Sequence, residues 1–154
     1  MKLTLAPASN STTEGQFEPG QALSPANDVD PRELKLDGIA RIDLNFPKFT
    51  DGRAFSQAFL LRRRLGFAGE IRAVGDVLID QLQPMQRSGF DAAVLRADQN
   101  LDFAQRQLQR YPVFYQGDAN APAPRFAQHE PPTSDDQLRT EPKVSPAKQQ
   151  EAHA

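Results

Sequence analysis

From Ala40 to Phe46 the chain alternates with a period of two: Ala40, Ile42, Leu44 and Phe46 on one side, Arg41, Asp43 and Asn45 on the other. That spacing predicts a β-strand with one buried face. The period then lengthens. Ala54, Ala58, Leu61 and Leu65, widened by Phe55 and Phe59, form one stripe of a helix from about Arg53 to Leu65, with Thr50 or Asp51 as its cap and Gly66 as its stop. Glu70 to Gly75 reads as a second strand, carrying Ile71, Ala73 and Val74. Asp76 then stands where an N-cap belongs, and Leu78, Leu82 and Met85 form the apolar face of a second helix ending at Gly89. Pro84 falls inside that helix, where a missing N–H and a clash with the preceding turn cost about 3 kcal/mol, so a kink or an early break is expected there. Phe90 to Arg96 gives a third strand, Asp98 caps a third helix bearing Leu101, Phe103, Ala104 and Leu108, and Pro112 to Tyr115 supplies a fourth strand. Upstream, Gln21 to Ser24 reads as a short edge strand and Pro31 to Leu34 as one helical turn.

The order β-α-β-α-β-α-β favours right-handed crossovers and a small, mostly parallel sheet, hence an α/β fold. Two arrangements satisfy it: an open three-layer sheet and a half-barrel-like array. The expected division is a largely disordered tail over 1–36 that includes the edge strand, an α/β domain over 37–116, and a disordered, proline-rich tail over 117–154.

Composition supports that division. Ten of the 13 prolines lie outside Arg32 to Gln116, whereas eight of the 10 phenylalanines fall between Phe46 and Phe114. The tails have little to bury and cannot offset the chain entropy lost on ordering. Lys35 to Gln116 carries 12 Lys/Arg against nine Asp/Glu, a net of +3, and the rest of the chain is acidic, leaving −2 in total. A mildly basic domain is compatible with an anionic ligand, although so small a charge is ordinary for a solvated surface. The sequence contains no cysteine, so disulfides, thiolate nucleophiles and iron–sulfur ligation by this chain are excluded. Neither a signal peptide's apolar stretch nor a membrane span is seen, and a cytoplasmic protein is expected. A globular part of about 80 residues is only marginally stabilised by its own core, which favours homodimerisation or docking on a larger partner.

Ligands of parallel α/β sheets collect beyond the carboxyl ends of the strands, where loops and helix N-termini offer free N–H groups. That rule brings Lys48, Asp51, Arg53, Asp76 and Arg96 to one rim; with Ser56 of the helix that follows they are the candidate ligand-binding residues. Asp76 and Asp80, four apart, are the candidate catalytic pair of carboxylates. The bland readings are helix capping for Asp51, Asp76 and Asp98 and ion pairing for Arg53 and Arg96. Arg62-Arg63-Arg64 reads as a solvated helix end that favours the dipole, and without interleaved aromatics it does not suggest nucleic acid. His129 and His153 both lie in the C-terminal tail, so no histidine-based triad or metal cluster is expected in the folded part, and no P-loop or G-x-G-x-x-G occurs. No cofactor and no metal site is expected.

Three runs carry a resemblance: Phe46-Pro47-Lys48-Phe49-Thr50-Asp51-Gly52-Arg53-Ala54-Phe55-Ser56, then Gly66 to Leu82, then Arg87-Ser88-Gly89-Phe90-Asp91-Ala92. Together they resemble an uncharacterised bacterial family, domain of unknown function 934, over about Gly38 to Gln116. Its matching polar or glycine positions are Asp51, Gly52, Arg53, Ser56, Arg72, Gly75, Asp76, Asp80, Gln81 and Arg87, and Pro84 departs from the pattern. Members are often labelled oxidoreductases of sulfite reduction because their genes neighbour those of sulfate assimilation. Sulfite reduction requires siroheme and an iron–sulfur cluster, which a cysteine-free chain cannot ligate. The resemblance therefore implies an accessory role in assimilatory sulfite reduction, binding the reductase or a small anion. Two alternatives stand beside it: a small enzyme using Asp76 and Asp80 with Arg53 on a carboxylate or phosphate, and a purely structural interaction module. Neither nucleic acid nor a membrane is an expected partner.

Overall fold

A computed structural model describes residues 3–7, 21–111 and 114–127 of the chain. Its strands are β1 (Thr4–Ala6), β2 (Ala22–Leu23), β3 (Arg41–Phe46), β4 (Glu70–Gly75) and β5 (Ala92–Val94), and its helices α1 (Arg53–Arg63), α2 (Leu82–Ser88) and α3 (Leu101–Gln109). Single 3-10 turns cover Pro31–Glu33, Ile79–Gln81 and Arg125–Ala127. The five strands form one sheet of order β1-β5-β4-β3-β2, and every pairing is parallel. From β2 to β5 each strand lies beside its successor, which is the connectivity of a barrel segment rather than of a doubly wound sheet.

The register sets the two faces. Ile42 lies opposite Ile71, Leu44 opposite Ala73 and Ala73 opposite Ala93, so one face is continuously apolar. It packs with Ala54, Ala58 and Leu61 of α1, Leu82 and Met85 of α2, and Ala104 of α3. Phe46, Phe55 and Phe90 close the core near the strand ends, with ring centroids 5.1 to 6.2 Å apart.

On the other face Asp43 lies opposite Arg72. Alternation alone marks this as the open side of β3, yet Arg41, Asp43 and Arg72 are all buried. Arg72 donates Nε and a terminal nitrogen to the two Asp43 oxygens at 2.9 and 2.7 Å, and Arg41 pairs with the same carboxylate at 3.1 Å. A bidentate contact of this kind gives the buried charges the compensation that burial demands.

Several expectations require correction. β2 joins β3 as the expected edge strand, but the sheet also takes in β1, which pairs with β5 and brings Leu3 into the core. The third strand is shorter than Phe90 to Arg96. Phe114 and Tyr115 belong to no strand, and the rest of the expected fourth strand, residues 112–113, lies outside the described residues. The disorder expected for the tails falls largely on residues that are likewise not described. Asn100, not Asp98, caps α3, its side chain accepting from the N–H groups of Asp102 and Phe103. Asp76 caps no helix: α2 begins only at Leu82, after the 3-10 turn. Pro84 consequently falls in the first turn of α2, where its absent N–H has no intrahelical acceptor to lose, so the expected kink has no cause.

Arg62 departs furthest from the solvated helix end expected of it. Its guanidinium donates to the carbonyls of Gly89 at 2.8 Å, Phe67 at 2.6 Å and Gly69 at 2.8 Å, and to the Asp91 carboxylate. Asp91 in turn accepts the N–H of Ile71 at 2.8 Å, so one arginine ties the end of α1 to the starts of β4 and β5. Arg63 and Arg64 are exposed, as expected.

Candidate functional site

The carboxyl ends of β3, β4 and β5 lead into three loops that are hydrogen-bonded to one another. Gly75, in the left-handed region at φ 94°, turns the chain out of β4; a Cβ there would stand 2.5 Å from the Phe46 carbonyl, a space only glycine leaves open. The turn lets the Asp76 N–H donate to that carbonyl at 2.8 Å and aims the Asp76 side chain at its neighbours. One carboxylate oxygen accepts the Phe49 N–H at 2.8 Å; the other accepts from Arg96 at 2.7 Å. Arg96 also donates twice to Asp98, at 2.6 and 2.7 Å, and its own N–H reaches the Val77 carbonyl. Asp76 and Arg96 thus staple the loops after β3, β4 and β5 together.

A second clasp comes from Gln81, which is buried. Its amide donates to the Phe49 carbonyl at 3.2 Å while its oxygen accepts the Leu78 N–H at 3.2 Å. Both backbone groups of Phe49 are therefore held by side chains from the β4 to α2 segment.

The other rim arginines are paired locally by a repeated arrangement. In Asp30-Pro31-Arg32 and in Asp51-Gly52-Arg53 the aspartate accepts the backbone N–H two residues on and, through both oxygens, that arginine's guanidinium. Arg96-Ala97-Asp98 is the same pairing in reverse order. Hydrogen bonds from these arginines hold Asp30, Asp51 and Asp98 down at about 2. The Arg53 guanidinium is raised above its ordinary value, chiefly by its bond to Asp51 and in small part by nearby Asp28.

The rim exists, and its charges are taken up in separate ion pairs. Arg53 begins α1 four residues beyond the Phe49 that Asp76 holds, yet Arg53 is spent on Asp51 and Asp76 on Arg96. Lys48 and Ser56 are exposed. Asp80 sits in the 3-10 turn, exposed, while Asp76 lies in the preceding bend, so the shared helix face on which their pairing was expected is absent. An open hollow of about 400 Å³ is lined by Leu78, Ile79, Asp80, Gln99 and Gln107, and of the expected site residues it touches Asp80 alone. Among the described residues no three His, Asp or Glu side chains stand close enough together to hold a metal ion.

Sequence reasoning missed Phe49 as a site residue and placed Gln81 only among the family-like positions. An exposed aromatic between Lys48 and Thr50, just before a helix, was the available signal for the first; nothing local distinguishes the second. Asp28, Asp30 and Arg32 were missed because they precede the expected domain boundary.

Two comparisons with known proteins find nothing: no curated protein and no solved structure matches the chain. A third finds a match across residues 20–126, to a family described as bacterial protein of unknown function, DUF934.

Proposed function

We propose, since the chain belongs to the DUF934 family, that it is a non-catalytic accessory protein of assimilatory sulfite reduction, which acts by docking on the reductase through the rim at the carboxyl ends of its strands. The observation that carries this reading is how the rim spends its charge. Both oxygens of Asp76 are committed, and Arg53 and Arg96 each face carboxylates from their own or an adjoining loop. A substrate at Asp76 would compete with two hydrogen bonds already made, and an anion would have to displace a carboxylate from Arg53 or Arg96. What this rim offers instead is a hydrogen-bonded, charged surface, of the kind whose complementarity steers and orients a protein partner. The sulfur-assimilation context is what the resemblance implies, from the label that members often carry and the gene neighbourhood behind it; the family's own description names no function.

The test is direct. Purified sulfite reductase from the same organism should co-elute with the protein on size exclusion, and a deletion strain should grow poorly on sulfate as sole sulfur source while growing normally on cysteine. Sulfite and sulfate at millimolar concentration should leave the melting temperature of the protein unchanged. Normal growth of the deletion strain on sulfate, together with the absence of a complex, would overturn the reading; a melting temperature raised by sulfite would move the function to small-anion binding.

A further inference from the structure

Pro47 to Gly52 connect β3 to α1, and the first four of these residues, Pro47, Lys48, Phe49 and Thr50, are exposed. An exposed connection of this length ordinarily leaves its backbone to water. This one is fixed at three points: the Asp51 N–H donates to the Lys48 carbonyl at 2.9 Å, the Phe49 N–H to Asp76 at 2.8 Å, and Gln81 to the Phe49 carbonyl at 3.2 Å. Gln81 is only 7% exposed, whereas the Phe49 residue it secures is 44% exposed. A buried amide and an ion-paired carboxylate are thus directed at the main chain of one residue whose ring remains available to solvent.

Of the other exposed aromatic residues, Phe103, Tyr115 and Phe126 have ring or cation company, while among the described residues Phe59 and Tyr111 share the free ring of Phe49 but lack its side-chain grip on the backbone. Arg106 lies 4.4 Å from the centre of the Phe103 ring, and Tyr115 and Phe126 stand 5.6 Å apart. Among the described residues the Phe49 ring has no ring or cation partner. A rigid aromatic side chain gives up little conformational freedom when it enters a pocket, which is why such residues dominate binding energy at protein interfaces. Its surroundings indicate the character of the partner. Asp28, Asp51, Asp76, Asp80 and Asp98 on the surrounding loops outnumber Lys48, Arg53 and Arg96, so this end of a nominally basic domain carries a net negative charge.

We propose that Phe49 is the anchor of a docking surface for a partner protein, entering an apolar pocket bordered on the partner by lysine and arginine. The inference deepens the docking reading above and relies on it only for the identity of the partner.

Site-specific photo-cross-linking in growing cells tests it with the full chain. A benzoyl-bearing phenylalanine analogue replaces Phe49, and in a control replaces Arg63, which is exposed at the far end of α1. A single adduct formed at position 49 and not at 63, its partner identified by mass spectrometry and cross-linked at an apolar site flanked by basic residues, is the expected result. If that partner is sulfite reductase, both readings stand; if it is another protein with such a site, the anchor stands and the reductase reading falls. No adduct above the control overturns the anchor, and the elution test for the reductase complex then judges the docking reading separately. With the purified partner, Phe49→Ala should weaken binding by about 30-fold or more while moving the melting temperature by less than about 2 °C. A large fall in melting temperature with unchanged binding would make Phe49 a structural residue and sink the proposal. Affinity should also fall as salt rises, as charge complementarity requires.

Discussion

Asp43 shows how far a single carboxylate can organise this sheet. It serves Arg72 and Arg41 at once, and all three residues are buried. Asp43→Ala leaves two guanidinium groups in the interior without their shared counter-ion, so stability should fall by about 3–5 kcal/mol in urea unfolding. At the rim the carboxylates are exposed and the effects smaller. Asp51 and Asp98 are held at about 2 by hydrogen bonds from Arg53 and Arg96, below the usual value of about 3.9. A carboxylate whose folded-state pKa is depressed favours folding above its unfolded value and loses that contribution as pH falls through the folded value. The melting temperature should therefore drop between about pH 4 and pH 2, modestly, because solvent screens these pairs. Arg96→Gln should flatten that drop, and an unchanged profile would show that its pairs do not contribute. Which aspartates sit at the rim was legible from the sequence. That Asp51 and Asp98 are matched to an arginine two residues away was legible too, once the spacing is read as pairing rather than capping, whereas Asp76 meets its arginine 20 residues on.

At the scale of elements, the segments with a long, clear period were read best. β4 falls on the expected residues, Glu70–Gly75, and α1 lies within the expected span, because each carries its own stop signal: Gly75 and Gly66 both take positive φ. The start of α2 was misread. Leu78, Leu82 and Met85 fit a helical stripe, but the chain from Asp76 to Leu78 is bent away to place Asp76 on Phe49 and Arg96, and the helix is delayed. Pro84 thereby moves from a helix interior to a first turn. Pro84→Ala should change stability by less than about 1 kcal/mol, whereas relieving an interior proline would stabilise by about 3 kcal/mol; equilibrium unfolding distinguishes the two. Arg62 illustrates the opposite error. Within a run of three arginines nothing marks one as buried, and only the meeting of α1 with β4 and β5 supplies its four acceptors.

For the whole molecule, the least legible feature is the sheet edge at β1. Leu3 and Leu5 are too few to announce a strand, yet Thr4 to Ala6 pair with Ala92 to Val94, 88 residues further on, and Leu3 is 3% exposed in the core. Leu3→Ala should cost about 2 kcal/mol or more in thermal or urea unfolding, the range for a buried leucine; a neutral result would mean that β1 does not contribute to stability. The same division runs through the protein. The sequence by itself determined the βα rhythm, the parallel class and the apolar face of each long element, because those follow from periods of two and 3.6 and from glycine stops along one stretch of chain. Only the tertiary structure decided that Asp43 would be buried between two arginines, that β1 would complete the sheet, and that Asp76 and Gln81 would grip the backbone of Phe49. Each of those depends on at least one partner more than 25 residues away, and no local pattern records which distant partner a polar side chain will meet.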